Sequence, residues 1–285
     1  MEQFWQQFYI KYIAAPTGAP QNRIFSPEHL ILTGLLTVMI VMVMKKVLRR
    51  DEIGYSRHVL KTCATIMLCL EIFRICWNCY YHGFSLTIFR FDYCNQICML
   101  LPFFVLFGSP KLYPYVQQLA LYGGVIVLVY PLWVFYDYAG IHLMAVQSMT
   151  SHALMIICAL TMPMASGIIP TLQMVYKTWI GFFVMLFNAF IMTHVTGVNY
   201  LLMAGARNVP IIQHIPFPYY WFLLIPGFME GTALFSKYWS RWYIKMLHLK
   251  RSATDIYSEK RTREIVTPWA GSRINPAHWT DSADE

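Results

Sequence analysis

Seven stretches of this chain are continuous apolar runs with few charges: near residues 29–46, 59–79, 94–109, 117–136, 147–167, 174–194 and 218–237. A helix of about 20 apolar residues crosses a hydrocarbon core roughly 30 Å thick. Backbone polar groups find no water at that depth, so only helices and closed barrels span it. Barrel strands alternate apolar and polar side chains, and these runs do not alternate. The expectation is an all-α, polytopic transmembrane bundle of about seven spans. Composition agrees, with 57% hydrophobic residues, 13% charged and a mean hydropathy of +0.45. Soluble domains carry about 25% charged residues. The 94–109 run is the shortest, and full crossing is left open for it.

Basic residues orient such a bundle, because cytoplasmic loops collect Lys and Arg. With seven spans, "KKVLRRDEIGYSRHVLK" and the C-terminal tail fall on one side together with Lys111 and Lys177. That side receives seventeen of the chain's 22 Lys and Arg, and Lys11, Arg23, Arg90 and Arg207 fall on the other. The N-terminus is therefore expected outside and the C-terminus in the cytoplasm of a multi-pass cell-membrane protein. The net charge of +8 reads as this asymmetry, and no nucleic-acid partner is expected, since no soluble basic module is visible. "MEQFWQQFYIKYIAAPTGAPQNR" lacks a basic start followed by an apolar core, so the first span is expected to act as its own insertion signal.

Three regions follow: an extracytoplasmic segment 1–27, the bundle 28–237, and a basic cytoplasmic tail 238–285. Pro16, Pro20 and Pro27 punctuate the first, with Pro27 suited to a first helical turn and Ser26 to its N-cap. The connection 195–217, with Pro210 and Pro216, is expected to fold over the outer surface. "SKYWSRWYIKMLHLKR" combines Trp239, Trp242 and Tyr243 with basic residues. That mixture suits an interfacial helix on anionic lipid, and equally an aromatic belt with stop-transfer charge. Residues 268–285 are polar and aperiodic.

Ionisable groups inside a span are costly and mark function by default. Glu71 and Arg74 lie three apart on one face of the second span. They read either as a self-satisfied pair that lets the span insert or as part of a polar cavity. Tracing spans alternately in and out places Glu28, His29, Arg74, Asn78, Asp92, Cys94, His152, Thr193, His194 and Asn199 in the outer third. A single histidine on an apolar helix is commonly structural, whereas a set converging from several helices points to a site.

Four of the seven cysteines crowd into "CWNCYYHGFSLTIFRFDYCNQIC". Zinc wants ligand pairs on a loop or knuckle, and these lie in helix ends, so no metal is expected. Cys76 and Cys79 have the Cys-x-x-Cys spacing of thiol–disulfide enzymes, without a thioredoxin-like strand pattern around them. Cys63, Cys69 and Cys158 sit deep in apolar spans, where a thiol packs as a small hydrophobe. Cys94 differs, because it stands at a predicted helix start with His152 at matching depth. A helix N-terminus and an imidazole are what activate a thiol.

"FSPEHL" before the first span, the early Cys of the third, the early His of the fifth, and "HVTGVNYLLM" followed by "IPFPYYWF" resemble the YwaF family of bacterial integral membrane proteins. That family is related to the eukaryotic transmembrane protein 164 acyltransferases. The resemblance covers about 25–240, in order and spacing, and departs from the bacterial pattern at "FRFDYC", where a Leu-Pro-Leu-like run is more usual. It implies transfer of fatty acyl chains onto lysophospholipids, with Cys94 and His152 as the catalytic pair and membrane lipids as partners. His194, Asn199 or the amides opening the third span would stabilise an oxyanion, and Arg74, held by Glu71, would pair with a lipid phosphate. No cofactor is expected, and the absence of a phosphate-cradling glycine loop argues against nucleotide-dependent chemistry. Three other readings stay open: a transporter or receptor-like bundle binding a solute in the polar ring, a thiol–disulfide oxidoreductase using Cys76 and Cys79, and a haem protein using His152 and His194.

Overall fold

The computed structural model describes residues 2–15, 25–50, 52–131, 134, 138, 141–169, 171–204 and 214–253. Among these there is no strand. The described residues form eight α-helices: α1 (Glu2–Tyr12), α2 (Pro27–Arg50), α3 (Ile53–His82), α4 (Tyr93–Leu106), α5 (Tyr113–Val129), α6 (Leu143–Ser166), α7 (Val175–Thr196) and α8 (Trp221–Ala253). Each of the seven predicted apolar runs falls on one of α2 to α8. Short 3-10 turns at Leu86–Ile88 and Tyr200–Leu202 lie before α4 and after α7. Residues 205–213 of the 195–217 connection and the tail beyond 253 lie outside the described residues. Two compact units are distinguished, Met1–Tyr238 and Trp239–Glu285. The site described below belongs wholly to the first.

Helices α2 and α6, the 110–129 segment containing α5, and the 172–196 segment containing α7 are long and apolar enough to cross a membrane. Helix α4 has 14 residues, roughly 21 Å at 1.5 Å per residue, short of the roughly 30 Å hydrocarbon core. Helix α3 has the length, with 30 residues, but it carries Arg57, Lys61, Glu71 and Arg74.

Local sequence explains several boundaries. Pro27 opens α2, and Ser26 Oγ receives the His29 amide at 3.3 Å, satisfying an N-terminal donor as an N-cap should. Gly197 closes α7 in the left-handed region at φ 73°, a conformation glycine adopts without a Cβ penalty.

Contacts between ends establish an up-and-down arrangement. At one end His29 Nε2 meets Leu128 O at 3.3 Å, joining the start of α2 to the end of α5. At the other, Arg57 Nε donates to Ala165 O at 2.9 Å, joining the start of α3 to the end of α6. Seventeen of the 24 residues of α6 are buried, as expected of a helix apolar all round. Large apolar side chains instead face outward on α2 (Leu30, Ile31, Leu35, Val38, Met42) and on α7 (Phe183, Val184, Phe187, Phe190). Buried Gln96, Gln117, Gln118, Gln147 and Thr161 lie inside. Apolar side chains outside and amides inside suit a lipid solvent.

Candidate active site

Cys94 is the second residue of α4. Asp92 stands at the N-cap, yet its side chain caps no amide of α4. Instead the carboxyl group faces the backbone N–H of Leu201. Burial raises the Asp92 pKa, against the lowering pull of Arg90, the Leu201 amide and Arg74. The first intrahelical bond of α4 runs from Gln96 N to Asp92 O at 3.0 Å. The amides of Tyr93, Cys94 and Asn95 precede it and, as orphan donors at a helix start, carry partial positive charge beside the thiol.

Three anchors fix this helix start. Tyr93 donates its hydroxyl to Leu119 O on α5 at 2.9 Å. Gln96 Nε2 donates to Phe91 O at 2.8 Å and to Met185 O on α7 at 3.0 Å. Arg74 Nη1 donates to Ile88 O at 3.1 Å, tying α3 to the turn before α4.

His152 lies on α6 and is 6% exposed. Its Nδ1 is 2.6 Å from Ser148 O. A carbonyl only accepts, so Nδ1 carries the proton and Nε2 presents a lone pair. That Nε2 is buried without a protein hydrogen-bond partner. The Cys94 side chain and the His152 main chain both lie against the Gly123–Gly124 pair of α5. The Cys94 thiol points at Gly123 O, with Sγ 3.9 Å away. A Cβ on Gly123 would lie 3.4 Å from Cys94 Sγ, and one on Gly124 would lie 2.7 Å from His152 O.

The other candidates divide into two groups. Arg74 grips Glu71 with Nε to Oε2 at 3.0 Å and Nη2 to Oε1 at 2.5 Å. The pair is buried and self-satisfied, bracing the turn before α4. His194 is exposed on α7, with Nδ1 on Phe190 O at 2.8 Å. It lines a cavity of about 350 Å³ with Phe190, Thr193, Met203 and Phe217, a lining that excludes Cys94 and His152. Asn199 Oδ1 accepts the Ala204 amide at 2.7 Å, shaping the turn that follows α7.

All seven cysteines are free thiols. Cys63 on α3 and Cys158 on α6 share a thiol hydrogen bond, and Cys98 donates to Met155 Sδ at 3.5 Å. No group of three His, Cys, Asp or Glu side chains able to hold a metal occurs among the described residues. Sequence reasoning passed over Gly123, Gly124, Tyr93 and Gln96. Two adjacent glycines inside an apolar span were the available signal, since small residues let membrane helices approach closely.

Fold and site together define a helical membrane protein that packs a thiol of α4 and the His152 turn of α6 against one glycine pair of α5. The chain belongs to the TMEM164 family, which it matches over residues 24–237. No curated protein and no solved structure matches it.

Proposed function

We propose that this protein is a thiol-dependent acyltransferase that moves fatty acyl chains between phospholipids and lysophospholipids. The observation that carries the reading is His152 Nε2, a buried lone pair with no protein partner, on a helix packed against the glycine pair that also receives the Cys94 thiol. An unpartnered basic nitrogen in an apolar bundle is costly unless something brings it a proton.

In the proposed cycle His152 Nε2 takes the proton of the Cys94 thiol, and the thiolate attacks the carbonyl carbon of a phospholipid ester. The C–S bond forms, and charge on the former carbonyl oxygen is met by the amides at the start of α4. Collapse breaks the ester C–O bond, and the departing lysophospholipid oxygen takes the proton from His152. The acyl-thioester then accepts the hydroxyl of a second lysophospholipid, with His152 removing its proton and returning it to the thiol. Arg74 acts in this reading by bracing the α4 start, with Glu71 engaging two of its nitrogens. Lipids are the only partners the cycle needs, and it uses no cofactor.

The same reading places all seven apolar helices in the cell membrane, with the N-terminus outside and the tail 238–285 in the cytoplasm. The charge asymmetry supports that orientation. Kinship with the bacterial YwaF proteins rests on the motifs quoted above.

The test is acyl exchange in defined liposomes by wild type, Cys94→Ala and His152→Ala. Both variants are expected to lose at least about 100-fold, the scale of general-base catalysis. Activity equal to wild type in both would end the proposal. The cavity beside His194 supports the rival reading of a binding protein, which gains if Cys94→Ser binds lipid normally and wild type turns nothing over.

A further inference from the structure

Gly123 and Gly124 leave the least room of any residues near the thiol and imidazole. A Cβ on Gly123 would meet Tyr93 Cε1 at 3.0 Å, Met155 Cε at 3.1 Å and Cys94 Sγ at 3.4 Å. Two of these are ends of side chains on α4 and the third is a flexible methyl on α6. A Cβ on Gly124 would meet Ile156 Cγ1 at 2.6 Å and the His152 carbonyl oxygen at 2.7 Å. Real Cβ atoms essentially never approach other atoms that closely. The second obstacle is helix backbone, which cannot turn aside as a side chain can.

Other glycines of the bundle behave differently. Gly34, Gly227 and Gly231 have open space where a Cβ would stand, so their helices would accept alanine. Gly181 of α7 is confined as well, against the Tyr115 backbone of α5, while near the thiol the requirement falls where α4, α5 and α6 meet. It coincides with the thiol of Cys94 on Gly123 O and with the main chain of His152, the residue whose Nε2 is buried and unpartnered.

The geometry points to Gly123 and Gly124 as positioning residues for the Cys94–His152 pair. Gly124 sets how closely the His152 turn of α6 approaches α5, and Gly123 lets the Cys94 thiol and the Tyr93 ring of α4 pack directly against α5. Neither residue takes up the transferring proton, although the Gly123 carbonyl accepts the resting thiol's hydrogen bond. The inference rests on the acyltransferase reading for its catalytic meaning, while its steric content stands without it.

The two positions respond differently to a compensating cut. Met155→Ala removes the methyl facing residue 123 and lets a Cβ there shift away from the Tyr93 ring edge at 3.0 Å, so Met155→Ala/Gly123→Ala should regain part of what Gly123→Ala loses. Ile156→Ala removes only one of the obstacles at residue 124, because the His152 carbonyl remains. Ile156→Ala/Gly124→Ala should therefore stay impaired.

The experiment combines liposome acyl exchange with the pH profile of Cys94 alkylation by N-ethylmaleimide, followed on the Cys94 peptide by mass spectrometry. Gly124→Ala is expected to lower kcat about 100-fold, the cost of a misplacement near 1 Å, with KM within about twofold. Its alkylation profile should coincide with that of His152→Ala. Gly123→Ala should lose about tenfold and be partly rescued by Met155→Ala, and Gly34→Ala should match wild type. A Gly124→Ala protein with wild-type kcat and alkylation profile overturns the inference. If that variant does not fold, failure of Met155→Ala to rescue Gly123→Ala overturns it instead. Should Cys94→Ala retain acyl exchange, the acyltransferase reading falls, and the alkylation profiles still decide the positioning role.

Discussion

Removing one member of the Glu71–Arg74 pair should be far more damaging than removing both. Glu71 is 4% exposed and Arg74 7% exposed, and three hydrogen bonds involve the guanidinium. Breaking a buried pair by deleting one partner costs about 3–5 kcal/mol, because the other charge is left uncompensated. Glu71→Leu and Arg74→Leu are each expected in that range. The double variant leaves the Ile88 carbonyl with the Arg90 amide alone, at 3.1 Å, at most about 1–3 kcal/mol for a buried acceptor that loses a donor. It also removes two groups that each cost about 2.5–3.5 kcal/mol to insert at a span centre. At about 2–4 °C per kcal/mol, each single substitution should lower the unfolding midpoint by roughly 6–20 °C, and the double by about 2–12 °C or less. Thermal unfolding of the purified protein in detergent, read by the monodisperse fraction, measures all four proteins. Two single variants within 1 kcal/mol of wild type, or a double equal to their sum, would refute the reasoning.

Two further outcomes follow from single side chains. His142 caps α6, its Nδ1 accepting the Met144 amide at 3.1 Å while Nε2 donates to Ala14 O at 2.9 Å. Burial lowers its pKa below the ordinary 6.5, against the raising effect of the Ala14 carbonyl. The unfolded chain therefore binds the proton more readily, and stability is full above about pH 6.5 and declines as pH falls toward the lowered value. His142→Asn keeps a capping oxygen and should give a shallower decline in a pH series of unfolding midpoints; identical slopes would count against it. Gln96→Leu leaves the buried Met185 carbonyl unmet and should cost about 1–3 kcal/mol while slowing acyl exchange. A stable Gln96→Leu protein with wild-type turnover would show that the α4 anchor is dispensable.

The helical elements were legible because lipid imposes one pattern on a spanning helix. Runs of apolar residues predicted α2 to α8, and the shortness of the 94–109 run appeared as a 14-residue α4. Capping chemistry placed Ser26 and Pro27 correctly, because an N-cap acts through its own two neighbours. The site was less legible. Depth along each span says which residues share a level, and Cys94, His152, His194 and Asn199 share one by that measure. Rotation about each helix axis decides which of them meet, and α7 turns His194 toward its own cavity. Apolar runs carry little rotational information when both faces are apolar, outward against lipid and inward against neighbours. The glycine pair escaped notice because its significance is the absence of atoms, which becomes visible only when α4 and α6 are in place.

The motifs that carried the family resemblance acquire a physical role once the chain is folded. Thr193 Oγ1 accepts the Tyr200 amide at 3.2 Å, and the Tyr200 ring meets Phe91 edge-on at 5.8 Å. Tyr220, from the Pro-Tyr-Tyr-Trp stretch, donates its hydroxyl to Leu202 O. Between them Leu201 and Leu202 adopt positive φ, 47° and 62°, a conformation costing an L-residue about 1–2 kcal/mol. That turn delivers the Leu201 amide to the Asp92 carboxylate. Drawn aside in this way, Asp92 does not cap α4, and the amides next to Cys94 stay open. A carboxylate left on those amides would occupy the donors beside the thiol. The Val-Asn-Tyr and Pro-Tyr-Tyr segments thus share one consequence despite lying on different parts of the chain: they hold the helix start that bears the thiol uncapped.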